Sequence, residues 1–221
     1  MQNDFLSQTL EPLHLLKHPF YQDWMAGRLT QEQLRDYAGQ YFKHVSAFPR
    51  YIGAAHSLCP DLEIRKLLLE NLNDEEGFPH GTPHPELWLD FAEGLGLKRG
   101  EASSASARAG IENVVSTFFR LSRASLPSAL GALYAYEAQV PEIAQRKIEG
   151  LKARYGVEAP EALAFFELHK TADVFHRETL KAVLEKLPAV EKAEAMSAAK
   201  EAATALWDFL SDVHQHGRHA A

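Results

Sequence analysis

His169, Asp173 and His176 interrupt an otherwise apolar helical stripe. That stripe runs through Ala162, Phe165 and Phe166 and resumes at Leu180, Val183, Leu184 and Leu187, so helical spacing carries it through positions 169, 173 and 176. At about 3.6 residues per turn, offsets of four and three keep all three ionisable groups on one face. The flanking hydrophobes aim that face inward, where unpaired ionisable groups are expensive to bury. A divalent cation compensates, because imidazole nitrogen and carboxylate oxygen are both good ligands.

Two other segments carry the same anomaly. Leu130, Leu133 and Tyr134 lead to Glu137 and then to Val140 and Ala144, so a carboxylate stands where a core residue belongs, with Lys147 about three turns further on. Leu68, Leu72 and Glu75 are spaced i, i+4, i+7, which puts Glu75 on the buried side; His84 follows after the Gly/Pro-rich loop GFPHGTPHP. Glu76 and His80 can take their places, and the pattern alone does not choose. Together Glu75, His84, Glu137, His169, Asp173 and His176 supply three carboxylates and three imidazoles, the ligand mix of a dinuclear non-haem site inside a helical bundle. Three negative charges against two divalent ions leave a small positive remainder, suited to peroxide or superoxide. The absence of thiolate favours Fe or Mn; a mononuclear Fe with two His and one carboxylate is the smaller alternative.

The elements that position these residues read as helices. Segment 6–17 is a short amphipathic piece and 19–27 (PFYQDWMAG) begins with Pro and ends near Gly27. Thr30 and Gln33 form a capping box that opens a long helix with the stripe Leu34, Tyr37, Tyr41, Val45, Phe48, kinked at Pro49. Further helices are expected from Pro60-Asp61 to Gly77, over 85–96, and at about 108–126, 127–153, 159–186 and 188–214, with a Ser/Ala-rich connector at 101–107. Strand and hairpin signals are lacking. The expectation is one all-α domain of seven or eight helices over 1–221, with a flexible tail at about 215–221 and His214, His216 and His219 in a polar C-terminal tail.

Composition narrows the classes. The chain has 221 residues, enough for a sizeable core without staples, and its single cysteine, Cys59, excludes an intramolecular disulfide or a zinc ribbon. Eleven histidines accompany that one cysteine. The formal net charge of −7, without a basic run, argues against nucleic acid or an anionic membrane as partner. No signal-peptide pattern or membrane-length apolar run is visible, so a soluble, cytoplasmic protein is expected.

HPFYQDW (18–24), DEEG with HPELW (74–88), the Glu of YAYE (134–137) and the H-x3-D-x2-H run (169–176) resemble the haem-oxygenase-like domain-containing oxidases over nearly the whole chain. Within that superfamily, whose bundle is TenA- and PqqC-like, the sequence is closest to the branch of the Chlamydia protein associating with death domains. The resemblance implies a dimetal site, diiron or mixed iron–manganese, that uses O2 and an external reductant to make para-aminobenzoate for folate synthesis. It implies a self-sacrificing route in which the enzyme's own tyrosine supplies the ring, by ring–Cβ cleavage, and a lysine supplies the amine. By motif, the sacrificed residue is Tyr21, the amine donor Lys147 and a second tyrosine near the metals, a radical relay, Tyr37; the metal ligands fall on Glu75, His84, Glu137, His169, Asp173 and His176. The family spaces its first Glu and His more closely, so GFPHGTP reads as an insertion of about two residues. A homodimer is common for this fold.

Two other readings compete. One is an oxidase of the same superfamily acting on an external fatty acid or amine, for which a wide apolar channel near the metals is expected. The other is a non-enzymatic helical interaction module, which predicts purification without stoichiometric Fe or Mn. Metal-free relatives fit less well: a thiaminase needs a nucleophilic cysteine, and Cys59 precedes Pro60 at a helix junction.

Overall fold

The computed structural model describes residues 9–219, apart from the side chains of residues 172, 173 and 217–219. Among the described residues there is no strand. Helices α1 (Pro19–Ala26), α2 (Gln31–Leu58), α3 (Leu62–Glu75), α4 (His84–Gly94), α5 (Arg99–Ser104) and α6 (Ala109–Ala124) are followed by α7 (Leu126–Glu137), α8 (Val140–Tyr155), α9 (Pro160–Lys186) and α10 (Ala189–His219).

Local chemistry accounts for the helix ends. Pro19 occupies the first turn of α1, where its missing N–H costs nothing, and Gly27 ends that helix with φ +71°. The Thr30 hydroxyl accepts from Gln33 N at 3.1 Å while the Gln33 side chain accepts from Thr30 N at 2.9 Å, closing the expected capping box. Asp61 accepts from Glu63 N and Ile64 N and so opens α3. Pro49 lies within α2 without ending it.

Helix α7 is buried around its whole circumference from Ser128 to Glu137 and forms the centre of the bundle. Its neighbour α10 offers a run of alanines, and the two approach until a Cβ on Gly131 would lie 2.0 Å from the Ala195 carbonyl oxygen. Helix α2 crosses the same centre and touches α3, α4, α5, α6, α7 and α10. Trp24, Trp88, Tyr37, Phe91, Phe118 and Phe209 are fully buried, each worth about 1.5–3 kcal/mol of removed apolar surface.

Four local expectations change. Residues 6–8 of the segment expected over 6–17 lie outside the described residues, and the rest is not one helix: Glu11–Leu13 and Leu15–Lys17 are separate 3₁₀ turns, because Gln139 Oε1 accepts from Leu15 N at 2.8 Å and holds His14 extended. The connector over 101–107 is largely the short helix α5. The helix expected over 127–153 divides at Gln139 into α7 and α8, with Pro141 in the first turn of the second. His214 belongs to no polar tail: it is buried on α10, with Nε2 2.7 Å from Asp23 Oδ2 of α1, because the apolar face of α10 continues through Phe209, Leu210 and Val213.

The glycines of this packing give opposite stability effects. Gly131→Ala drives a methyl group into the backbone of α10, an overpacking cost of about 1–3 kcal/mol that outweighs the gain in helix propensity. Gly53→Ala in α2 meets nothing within 4 Å and stabilises by about 0.5–1 kcal/mol. Urea unfolding midpoints of the two variants against wild type check both signs.

Candidate metal centre

Three helices bring the first group together. Glu75 sits in the last turn of α3, His84 at the first position of α4, and His169 at the middle of α9. One ligand atom from each lies within 4.8 Å of the others, and all three side chains are buried. Of the alternatives left open by spacing, Glu75 and His84 face inward, whereas Glu76 and His80 are exposed beside them.

The polar atoms of this group are oriented as cation ligands. His169 Nδ1 donates to the Phe165 carbonyl at 2.6 Å, which leaves the Nε2 lone pair free. His84 Nδ1 lies 2.8 Å from Glu75 Oε2, yet the pair is not aligned as a hydrogen bond and Nδ1 has no other partner. From α7, Glu137 is 1% exposed; its Oε1 accepts from Asn71 Nδ2 at 2.6 Å and its Oε2 has no partner. A buried imidazole nitrogen and a buried carboxylate oxygen without partners, beside a second carboxylate, fit a divalent cation.

Electrostatics point the same way. Burial, reinforced by the negative charge of Glu75 and opposed by the Asn71 hydrogen bond, pushes the Glu137 carboxyl up to about 8. Burial, then the neighbouring His84, holds the His169 imidazole well below the usual histidine range. Neutral imidazole is the form that binds metal, and a buried carboxyl without a counter-charge is one that a cation would ionise. His176 is buried outside this group of three, with Nε2 3.1 Å from Asp74 Oδ2, and its proximity adds to the lowering of the His169 imidazole. The side chain of Asp173 lies outside the described residues.

A second chamber shares walls with the first. Lys147 of α8 is 4% exposed, and its Nζ donates to the Tyr37 hydroxyl at 2.6 Å. The Tyr37 and Tyr21 hydroxyls are 3.4 Å apart, so Tyr21, Tyr37 and Lys147, distant in sequence, form one polar chain. Burial pushes the lysine well below its usual range and the two phenols above theirs. The amine is enclosed by aromatic rings, 4.8 Å from the Tyr37 centroid, 5.0 Å from Phe166 and 5.3 Å from Trp88. Phe165 stacks on His169 at 4.0 Å and meets Trp88 at 4.9 Å, which joins the chamber to the metal ligands. The free volume beside Tyr21, Tyr41, Tyr136 and Lys147 is about 20 Å³, room for roughly one water-sized molecule. On the opposite side, a cleft of about 510 Å³ lined by Asp74, Phe78, Thr82, His84 and Leu168 opens to solvent.

A family profile described as an iron-containing redox enzyme matches residues 35–208. A 4-aminobenzoate synthase of Chlamydia muridarum is 41% identical over 94% of this chain and 87% of its own. One of Nitrosomonas europaea is 41% identical over 97% of this chain and 92% of its own. The chain belongs to this family of iron-containing redox enzymes. Its architecture also matches a solved TenA homologue of Pseudomonas syringae with a TM-score of 0.80 at 16% identity, over 95% of this chain and 91% of that one. The all-α, haem-oxygenase-like fold expected from helical periodicity and motif resemblance is therefore the fold observed.

Sequence reasoning missed Asn71, although it lies on the buried face of α3 three residues past Leu68 and four before Glu75, a polar residue on an apolar stripe. It also left His44 ambiguous. That ring is fully buried among aromatic rings, 4.7 Å from Phe118 and 5.1 Å from Tyr136, and burial pushes it down to about 3, so it is a neutral core histidine outside the metal group.

His169→Ala removes one of the three side chains of this group. Fe(II) or Mn(II) titration of the variant is expected to show loss of high-affinity binding while far-UV circular dichroism stays helical; retention of wild-type stoichiometry is the contrary result.

Proposed function

We propose that this protein makes 4-aminobenzoate by consuming its own Tyr21, with Lys147 as the amine donor. The observation that carries this reading is the hydrogen-bonded chain from Tyr21 through Tyr37 to Lys147, sealed beside a buried carboxylate–imidazole group. The activity named for relatives at 41% identity supports the product. The small free volume beside Tyr21, about 20 Å³, supports an internal substrate on that side of the site.

Glu75, His84, Glu137, His169, Asp173 and His176 would hold two ions, iron or iron with manganese. Such ions, when bound, supply the reductive activation of O2, with electrons from an external reductant. The protein's own groups do the rest. Burial keeps the Lys147 amine neutral and its lone pair available. The Tyr37 hydroxyl holds that amine near the phenolic end of Tyr21 and links the two so that a proton can pass between them. The aromatic enclosure excludes water that would compete for reactive species.

Atom balance relocates the broken bond. A benzoate needs one carbon beyond the ring, so Cβ of Tyr21 must leave with it and the cleavage falls at Cα–Cβ rather than at ring–Cβ. Cβ loses four electrons on becoming the carboxylate while Cα keeps a hydrogen; the ring oxygen leaves as water as the Lys147 nitrogen bonds to the ring, and Cε, parted from that nitrogen, loses two electrons and is hydrolysed to an aldehyde. Two O2 accept these six electrons and two more from the external reductant. Each chain then turns over about once, and a cytoplasmic protein, dimeric as is common for this fold, serves as its own substrate.

Intact-mass spectrometry of Fe- or Fe/Mn-loaded protein exposed to O2 and reductant tests this directly. Loss of the Tyr21 side chain in step with released 4-aminobenzoate is expected, and Tyr21→Phe should release none. An unchanged mass in a fully loaded, reduced sample sinks the reading.

Lys147→Met should abolish product and raise stability at neutral pH, since an apolar side chain replaces a buried amine. The unfolded chain protonates this lysine below about pH 10.4 while the folded state keeps it neutral, so wild type gains stability as pH rises toward that value. Urea titrations from neutral to alkaline pH should show a flatter profile for the variant.

A further inference from the structure

Asn71 is the hydrogen-bond donor that Glu137 has among the described residues. It is 3% exposed on α3, one turn before Glu75, and its Nδ2 reaches across to Glu137 Oε1 on α7 at 2.6 Å. Glu137 Oε2 and Asn71 Oδ1 are both buried without partners. The contact therefore spends one carboxylate oxygen on a fixed donor and leaves the other for a cation.

The residue type is informative. A carboxylate joined to the backbone through three rotatable bonds loses its aim unless something holds it, and a short bond to one oxygen sets both its position and its plane. A lysine or arginine there would neutralise Glu137 and compete with metal. An aspartate would repel it. A carboxamide donates a hydrogen bond while adding no charge, which suits a clamp on a ligand whose own charge is needed. Because Asn71 and Glu75 are neighbours along one helix face, α3 supplies a ligand of its own and aims the ligand of α7.

We propose that Asn71 is a positioning residue that holds Glu137 as a metal ligand, so that binding of one of the two ions depends on it. The proposal rests on the reading above that Glu137 belongs to a dimetal centre.

The test uses the full-length, metal-free chain titrated anaerobically with Fe(II) or Mn(II), together with electron paramagnetic resonance of the Mn(II)-loaded protein. Asn71→Leu, similar in volume, is expected to weaken one metal equivalent about 10–100-fold and to leave the other within about twofold. The spin-coupled signal of adjacent ions should give way to that of an isolated ion. Asn71→Ala provides a second variant should the leucine disturb folding, which circular dichroism of the metal-free protein reads independently. Glu137→Gln should lose the same equivalent, and the double variant Asn71→Leu/Glu137→Gln should bind no worse than Glu137→Gln alone, because each change removes the same interaction. Wild-type affinity in both Asn71 variants, or additive losses in the double variant, overturns the proposal. A single equivalent in the wild type would instead refute the dimetal reading, while the comparison of single and double variants still decides whether Asn71 and Glu137 act together.

Discussion

The centre of this bundle confines carboxylates and imidazoles in an apolar interior. Glu75, His84, Glu137 and His169 are all under 5% exposed, and burial pushes Lys147, the amine of the adjoining chamber, well below its usual range. The four residues arrive on α3, α4, α7 and α9, so the helices cannot close on one another without bringing these groups together. Their mutual geometry leaves an imidazole nitrogen and a carboxylate oxygen without partners, a cost that a bound cation removes. Metal binding and stability are therefore linked: an ion at one hundred times its Kd adds about 2.7 kcal/mol to the folded state.

The tyrosine–lysine chamber depends on the same helices. His84 and Trp88 lie one turn apart on α4, and Phe165, Phe166 and His169 follow one another on α9, so each helix presents one residue to the metal group and another to the chamber. The lowered Lys147 and the raised phenols follow chiefly from this enclosure, since burial is the leading cause of each shift. One water-excluding arrangement thus keeps an amine unprotonated and limits what can enter.

Helix α1 carries Tyr21, and an unusual density of specific contacts holds it. His18 Nδ1 accepts from Phe20 N at 3.0 Å, and its other ring nitrogen lies 2.9 Å from the Ser211 hydroxyl of α10. Asp23 meets His214 of α10, and the Trp24 ring packs against Gly150, where a Cβ would lie only 2.6 Å away. These contacts explain why the HPFYQDW run reads as a unit: its other residues fix the height and rotation of the tyrosine between them.

Much of this was legible in the chain itself. Apolar periodicity of about 3.6 residues marks every long helix, and the same periodicity exposes His169, His176, Glu137 and Glu75 as ionisable residues at inward positions, because position along one helix determines which face a side chain occupies. What periodicity lacks is the height and rotation of one helix against another. Only the packed bundle buries Glu75 and His84 while leaving Glu76 and His80 exposed, joins Asn71 to Glu137, engages His176 with Asp74 and buries His214 against Asp23. Protonation is likewise a tertiary property. Lys147 reads as an ordinary charged lysine until α1, α2, α4 and α9 surround it, since the charge it carries depends on how much water the fold leaves around it.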